Sequence, residues 1–524
     1  MKNSILAVSL IASIALAQPE ANGGNVALDS TQGTQASTAE SSAQNPAPAT
    51  SQAPSATQSS AQSSTKEAIK GAFSGAKVEG FGFARYFSNF GEDGEGYSQQ
   101  YRLKLDVTSG DINGYSITGG IIFSQGSSTP DTGYTTHGSV QGSRGYVDNG
   151  NFSDRFGISV FSANKTFKFS DSDKLSIKLG RLNLKSSLND KNLDMGTGGS
   201  AVFQSGKIAY GLEYYDSFIP DKASYALRRR YPAGGSAETR AVGIGNNLAI
   251  LSVKTGKVKG KDGKEKDADF GGFGFNVTLA NAYEFVDYMA FVEGSYKILD
   301  TGLSLKAQVV ATGINANPNN LQVGYSTSDT NTKLPLGWAH ASDYAQFRGI
   351  YNINLAYKIG GFSSKLGYLG SFGDGYGVIF DTKGGIDASG KAWNEYFTAT
   401  YEGFGILGSG SKSGTDIMLA YLNLAYKFDM GIKIALDTTY VGGNNNFPIL
   451  SSASDATKVG VTQYNAANGG LLNHSQRFKS VDFVEITPSI AYNFTKNLEL
   501  SAFAAVFAGD INLTKTRFEL KYTF

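Results

Sequence analysis

The chain has 524 residues and a formal net charge of +1, so it lacks the excess of Lys and Arg that marks a general nucleic-acid binder. It contains no Cys, which excludes a disulfide scaffold, cysteine-ligated metals and thiol catalysis together. Its 65 Gly, 28 Tyr and 33 Phe, against 11 Pro and 2 Trp, favour strands, turns and interfaces over helices.

The N-terminus, "MKNSILAVSLIASIALA", places Lys2 before an apolar run and ends on the small residues Ala15 and Ala17. This pattern predicts a cleavable secretory signal over residues 1–17, too short to span a bilayer comfortably. Residues 18–65 are Ala, Ser, Gln, Thr and Pro rich, as in "QNPAPATSQAPSATQSSAQSS". Such a segment buries too little apolar surface to offset its ordering entropy, so a disordered arm is expected. Residues 66–76, beginning "KEAIKGAF", are a short helical or linker segment expected to dock or plug something, because one turn is marginal alone.

From residue 77 the sequence alternates with period two. In "KVEGFGFARYF" the pattern is impure, because Glu79 and Arg85 share a face with Phe81 and Phe83. Either a bulge switches the phase there or the aromatics face inward. "YRLKLDV" sets Tyr101, Leu103, Leu105 and Val107 against Arg102, Lys104 and Asp106. "KLSIKLGR", "KIAYGLEYY", "YNINLAYKI", "GIKIALDTTY" and "EITPSIAYNF" repeat the alternation. "LELSAFAAVF" puts Phe503 and Phe507 on the face that should be polar, and "TRFELKYTF" sets Phe518, Leu520, Tyr522 and Phe524 against Arg517, Glu519 and Lys521. Runs of about ten residues suit a tilted membrane strand.

Short spacers such as "TSGDIN" and "YKFDMGIK" suit hairpins. Longer Gly, Asn, Ser and Asp-rich spacers fall at 126–151, 183–200, 220–240, 256–269, 312–343, 372–394 and 443–479. The expected fold is all-β: a transmembrane antiparallel β-barrel over residues 77–524, with long extracellular loops, short periplasmic turns and about 18 strands, 16 being the alternative count. A soluble sandwich, propeller or β-helix shares the alternation. However, no fixed short repeat is visible, and the apolar side is uniform in Leu, Ile, Val and Tyr along the whole chain.

Catalytic signals are missing. His137, His340 and His474 stand alone in polar stretches, and no HExxH, GxSxG or Walker-type loop occurs. An enzyme is not expected and no cofactor is required. The triplet Arg228, Arg229 and Arg230 reads as a solvated basic turn or a contact for lipopolysaccharide phosphates.

Three stretches bear a resemblance. "KEAIKGAFSGAKVEGFGFARY", the run "KLGRLNLKSSLND" followed by "DMGTGGSAV", and the terminal "FELKYTF" resemble the major outer-membrane porins of Campylobacter and Helicobacter relatives. The resemblance implies a homotrimeric, water-filled porin of 18 strands in the cell outer membrane, bathed in lipid and lipopolysaccharide and passing ions and small hydrophilic solutes. It also implies a Ca²⁺ near the constriction, for which Asp190 and Asp194 are weak ligand candidates. The expected function is therefore passive diffusion through a charged constriction. The alternatives are a surface adhesin on a plugged barrel and a substrate-specific channel. The loop 183–200 is expected to fold inward, with Asp190, Lys191 and Asp194 as its charged wall. Arg85, Arg102, Lys104, Asp106, Lys178, Arg181 and Arg517 are the candidates on the barrel wall. Opposed charged walls would set up a transverse field within a low-dielectric shell.

Overall fold

Strands that alternate apolar and polar residues leave one face needing lipid or a core and one face needing water, and closure into a cylinder meets both demands without exposing an edge. A computed structural model describes residues 71, 73–92, 96–128, 152–219, 247–259, 265–268, 270–283, 286–298, 300–315, 325–326, 332–333, 345–380, 384–391, 393, 404–406, 410, 413–449, 462–463 and 474–524. The chain divides into two units, Met1–Ser60 and Ala61–Phe524. The signal and nearly all of the predicted arm and linker, together with His137, His340 and Arg228 to Arg230, lie outside the described residues.

The second unit is built on eighteen strands in one closed antiparallel sheet. They are β1 (Lys77–Phe90), β2 (Gly96–Thr108), β3 (Tyr115–Ser128), β4 (Phe152–Lys168), β5 (Lys174–Asn183) and β6 (Met195–Ser205). Next come β7 (Ile208–Ile219), β8 (Leu248–Thr255), β9 (Phe273–Ala282), β10 (Val286–Lys297), β11 (Leu303–Ile314) and β12 (Phe347–Ile359). The last are β13 (Phe362–Gly373), β14 (Met418–Lys427), β15 (Ile432–Gly442), β16 (Phe483–Asn493), β17 (Leu498–Gly509) and β18 (Leu513–Thr523). Each strand pairs with its neighbours in the chain, and β1 pairs with β18 from Phe81↔Thr523 to Phe90↔Thr514 to close the cylinder. Among the described residues no helix is long and apolar enough to cross a membrane, and the crossing is made by strands.

The outward face is apolar along the whole circumference. Ile117, Phe161, Leu179, Leu212, Leu279, Ile353, Leu366, Ile434, Ile490 and Phe518 are all exposed. Near the ends of β14, β16 and β18 a Tyr packs edge-on against a Phe two residues on: Tyr426–Phe428, Tyr492–Phe494 and Tyr522–Phe524, with centroids 4.7, 4.8 and 4.9 Å apart. Such rings form the aromatic girdle at a membrane interface.

Short connections collect on one rim. Two of them are two-residue turns in which Gly206 and Gly360 take φ of 55°, a left-handed conformation that glycine adopts without steric cost. The predicted loop 256–269 also falls on this turn rim, between β8 and β9, where Lys257–Lys259 and Glu265–Asp267 pair as a small hairpin. The segregation of long loops to the opposite rim therefore has this one exception among the spacers read from the sequence.

β1 runs without a register break against both neighbours, so no bulge rescues its mixed face. The aromatics do face inward: Phe83 is buried under the guanidinium of Arg85, 3.7 Å from its ring centroid. The helical turn before β1 ends with Ala76 N–H donating to Phe73 O at 3.3 Å, and Phe73 itself is 79% exposed.

Candidate functional site

Two connections enter the barrel from the loop rim. The first joins β5 to β6 over residues 184–194. Asp194 is fully buried, and its Oδ2 accepts hydrogen bonds from Asn189 Nδ2 and the Asp190 amide, both at 3.1 Å. Asp190 Oδ1 accepts from the Asn192 amide at 2.8 Å, and Leu184 N–H donates to Asp194 O at 2.9 Å. These short polar side chains replace the missing strand ladder with local turns. The loop is thereby held as a compact knot that presents Leu184 and Leu188 to an apolar neighbour.

The second connection joins β13 to β14 over residues 374–417, and its described parts cross the lumen. Its backbone meets the first loop where Phe380 N–H donates to Leu188 O at 3.0 Å and Gly385 N–H to Ser187 O at 2.7 Å. It then meets inward side chains on strand after strand. Thr312 of β11 donates to Val378 O at 2.7 Å, and Gln308 Nε2 of β11 to Gly385 O at 2.9 Å. Asn354 of β12 donates to Asp387 O at 3.2 Å. Glu485 of β16, fully buried, accepts the amides of Lys391 at 2.8 Å and Trp393 at 2.9 Å. Arg348 of β12, also fully buried, donates to the carbonyls of Ala345 at 2.8 Å, Gly377 at 3.1 Å and Ile406. Only a segment inside the cylinder reaches inward residues from β11 to β16.

The loops bring their own apolar core. Leu188, Tyr376, Val378, Phe380, Trp393 and Phe404 join inward residues of the wall at the loop end of the strands, among them Phe218, Phe291, Val310, Leu369, Leu419 and Phe483. Phe218 packs edge-on against Phe380 at 5.4 Å and Trp393 against Phe404 at 5.7 Å. Phe218 reaches the lumen because the β6–β7 register shifts between Thr197 and Gly198. The sequence carried a signal for this filling in Phe503 and Phe507. Both lie on an inward face and are nearly or fully buried, which requires a covering layer.

The wall stays polar along another arc. The inward faces of β18, β1 and β2 carry Lys515, Arg517, Lys521, Arg85, Arg102 and Lys104 beside the carboxylates Glu519, Glu79 and Asp106. Arg85 pairs with Glu519 across the closing seam. Lys104 is buried, with Nζ 3.1 Å from Asp106 Oδ2 and donating to Asn183 Oδ1 at 2.8 Å. Asp106 also accepts from Ser159 Oγ at 2.9 Å and Asn183 Nδ2 at 3.2 Å. Arg517 lies 4.9 Å from the Phe503 ring centroid and Arg102 lies 5.5 Å from that of Phe83. Arg181, at the end of β5, donates to Ser159 O at 3.3 Å, while Lys178 and Lys191 are exposed.

Of the residues read from the sequence, the structure joins Lys104 with Asp106 and stacks Arg85 and Arg102 on Phe83. It does not bring Asp194 to open water. That carboxylate is turned into its own loop, and Asp190 shares the same turn. Arg348, Asp387, Trp393 and Glu485 were missed as site residues, although the stretch 372–394 stood out as a long spacer. Among the described residues no group of three or more His, Asp and Glu could hold a metal ion.

No protein-family model and no curated protein matches the chain. Solved structures do. The crystal structure of Pseudomonas aeruginosa OccK9 (OpdG) matches at 14% identity with a TM-score of 0.50, covering 87% of this chain and 99% of that one. The crystal structure of Pseudomonas aeruginosa OccK8 (OprE) matches at 12% identity, also with a TM-score of 0.50 and the same coverage. At this identity the likeness shows the fold alone. It also overturns the resemblance to the Campylobacter and Helicobacter major porins, because the matching structures are Pseudomonas Occ proteins. The stretches that carried that resemblance are strand and turn patterns shared by barrels at large: an aromatic first strand, a strand entering an inward loop and an aromatic last strand. The homotrimer and the Ca²⁺ were implied by that resemblance alone and lose that support.

Proposed function

We propose that this barrel is a solute-selective outer-membrane channel rather than an open diffusion pore. The observation that carries the reading is the pair of interlocked loops, which fill the lumen with an apolar core reaching from Leu182 of β5 round to Leu513 of β18, and leave a charged arc on β18, β1 and β2 beside it. A solute passing such a wall exchanges bulk water for fixed charges in a partly desolvated space, where charge and shape count for more than in a wide aqueous pore. The excess of Lys and Arg on this arc favours solutes carrying a negative group, although ion pairs with Glu519 and Asp106 offset part of it. Residues 1–17 act as the export signal in the same reading.

Planar-bilayer recording of the purified protein tests the reading. A small conductance that saturates with rising concentration of an anionic solute supports it. A large ohmic conductance indifferent to solute returns the protein to passive diffusion. No conductance at all favours the plugged adhesin.

A further inference from the structure

We propose that Asp387 is the positioning residue that pins segment 384–389 of the second inward loop to the barrel wall and thereby sets the width of the passage. This rests on the channel reading above. Asp387 is a loop carboxylate that reaches two strands at once: Oδ2 lies 2.9 Å from Lys306 Nζ on β11 and Oδ1 lies 2.8 Å from Lys365 Nζ on β13. Its amide donates to Gln308 Oε1 at 2.8 Å, and its carbonyl accepts from Asn354 Nδ2 and Tyr421 Oη, each at 3.2 Å. The charged and titratable groups around it are Lys306 and Lys365, Glu293 of β10 at 3.7 Å from Lys306, Tyr421 of β14, and Asp437 of β15 through Ser389. With Glu293 beside Lys306, the carboxylate of Asp387 is the loop's own contribution to the cluster.

A few residues on, the loop is held by a different chemistry. Glu485 receives two backbone amides and the Thr487 hydroxyl, all uncharged donors, in a fully buried setting. The two anchors should therefore separate. Charge neutralisation at Asp387 frees 384–389 while Glu485 keeps Lys391 and Trp393 in place. Burial would raise the Asp387 carboxyl, but Lys365 and Lys306 outweigh it and hold the group below the ordinary value of 3.8. A depressed carboxylate keeps its stabilising contribution at all pH values above that range and loses it only as pH falls through the lowered value. The pin is thus insensitive to mild acid.

Hydrogen exchange on the full-length protein in detergent, with wild type, Asp387→Asn and Asp387→Glu compared at pH 7, reads the pin directly. In Asp387→Asn the amides of 384–389 should exchange about tenfold faster, those of Lys391 and Trp393 should be unchanged, and Asp387→Glu should restore protection. Single-channel recordings of Asp387→Asn should show added open-channel noise or a wider substate, while wild type at pH 5 behaves as at pH 7. Lys365→Met, checked for heat-modifiable migration as a folded barrel, should reproduce the effect if Asp387→Asn does not assemble. Unchanged exchange at 384–389 in folded variants overturns the proposal whatever the conductance. Faster exchange in a barrel that conducts nothing supports the pin and overturns the channel reading instead.

Discussion

Asp194 and Lys191 stand three residues apart in one loop and do opposite things. Lys191 is exposed, whereas Asp194 is fully buried with its oxygen shared between a side-chain amide and a backbone amide. From the sequence, both are charges in a polar turn and equal candidates for a pore wall. The difference arises only when the loop folds on itself, because short Asx-type turns consume a carboxylate as a backbone acceptor. Replacing Asp194 with Ala leaves the Asn189 amide and the Asp190 N–H without their acceptor, at a cost of about 1–3 kcal/mol. That cost falls on the loop, since the strand ladder lies elsewhere. Heat-modifiable migration should therefore stay near wild type while open-channel noise rises. A lowered melting midpoint with quiet channels would place the role of Asp194 in the barrel instead.

At the level of single strands the sequence was most informative, because a period of two maps directly onto outside and inside. The alternations in β7, β12, β16 and β18 reappear as exposed apolar and inward polar faces, whereas in β2 Tyr101 is exposed and Leu105 is buried. Ile353, at the middle of β12, is exposed to lipid, and a Lys there should cost about 2–4 kcal/mol at the bilayer midplane. Ser501 faces inward on β17 opposite Glu519, so Ser501→Lys should assemble normally. Folding yields into vesicles for the two variants measure the difference, and equal yields would contradict the assigned faces. The closing seam offers a second test, since Arg85 and Glu519 pair directly across β1 and β18. In a double-mutant cycle with Ala at both positions, the coupling energy should be about 0.5–3 kcal/mol, because each single change strands a partly buried charge. An additive cycle in thermal unfolding would show that the pair contributes nothing beyond its separate surroundings. The sequence could not show this pairing. Closure joins the two ends of the barrel, and nothing local at Arg85 points to a residue more than four hundred positions away.

For the molecule as a whole, the barrel and its strand number were legible, and the filling of its lumen was not. Strand patterns repeat and accumulate, whereas a loop that folds into a cavity leaves its trace in other elements, as apolar residues on faces expected to be polar. Phe503 and Phe507 were such traces, and so were Phe291, Val310 and Phe483 on strands where the sequence offered no reason to look. The same separation of local from global holds for charge. A net charge of +1 over the chain predicts no ion preference, yet β18, β1 and β2 concentrate cations on one inward arc. Arg517 and Lys521 flank Glu519 on that arc and are half-buried, while the direct partner of Glu519 is Arg85. Replacing both with Gln removes two positive charges and keeps most of the side-chain volume. If ions pass along this wall, the reversal potential in a salt gradient should move toward cation preference, with solute size exclusion nearly unchanged. At 0.1 M salt the Debye length is about 10 Å, comparable with the reach of a wall charge into a narrow passage, and at 1 M it shrinks to about 3 Å. The shift should therefore be large at low salt and fade at high salt. Gln at Lys358 and Lys427, exposed at the turn-rim ends of β12 and β14, removes the same net charge far from the arc and should do much less. An equal shift from both pairs would mean that total charge governs selectivity, and the passage would then have to be sought away from β18, β1 and β2.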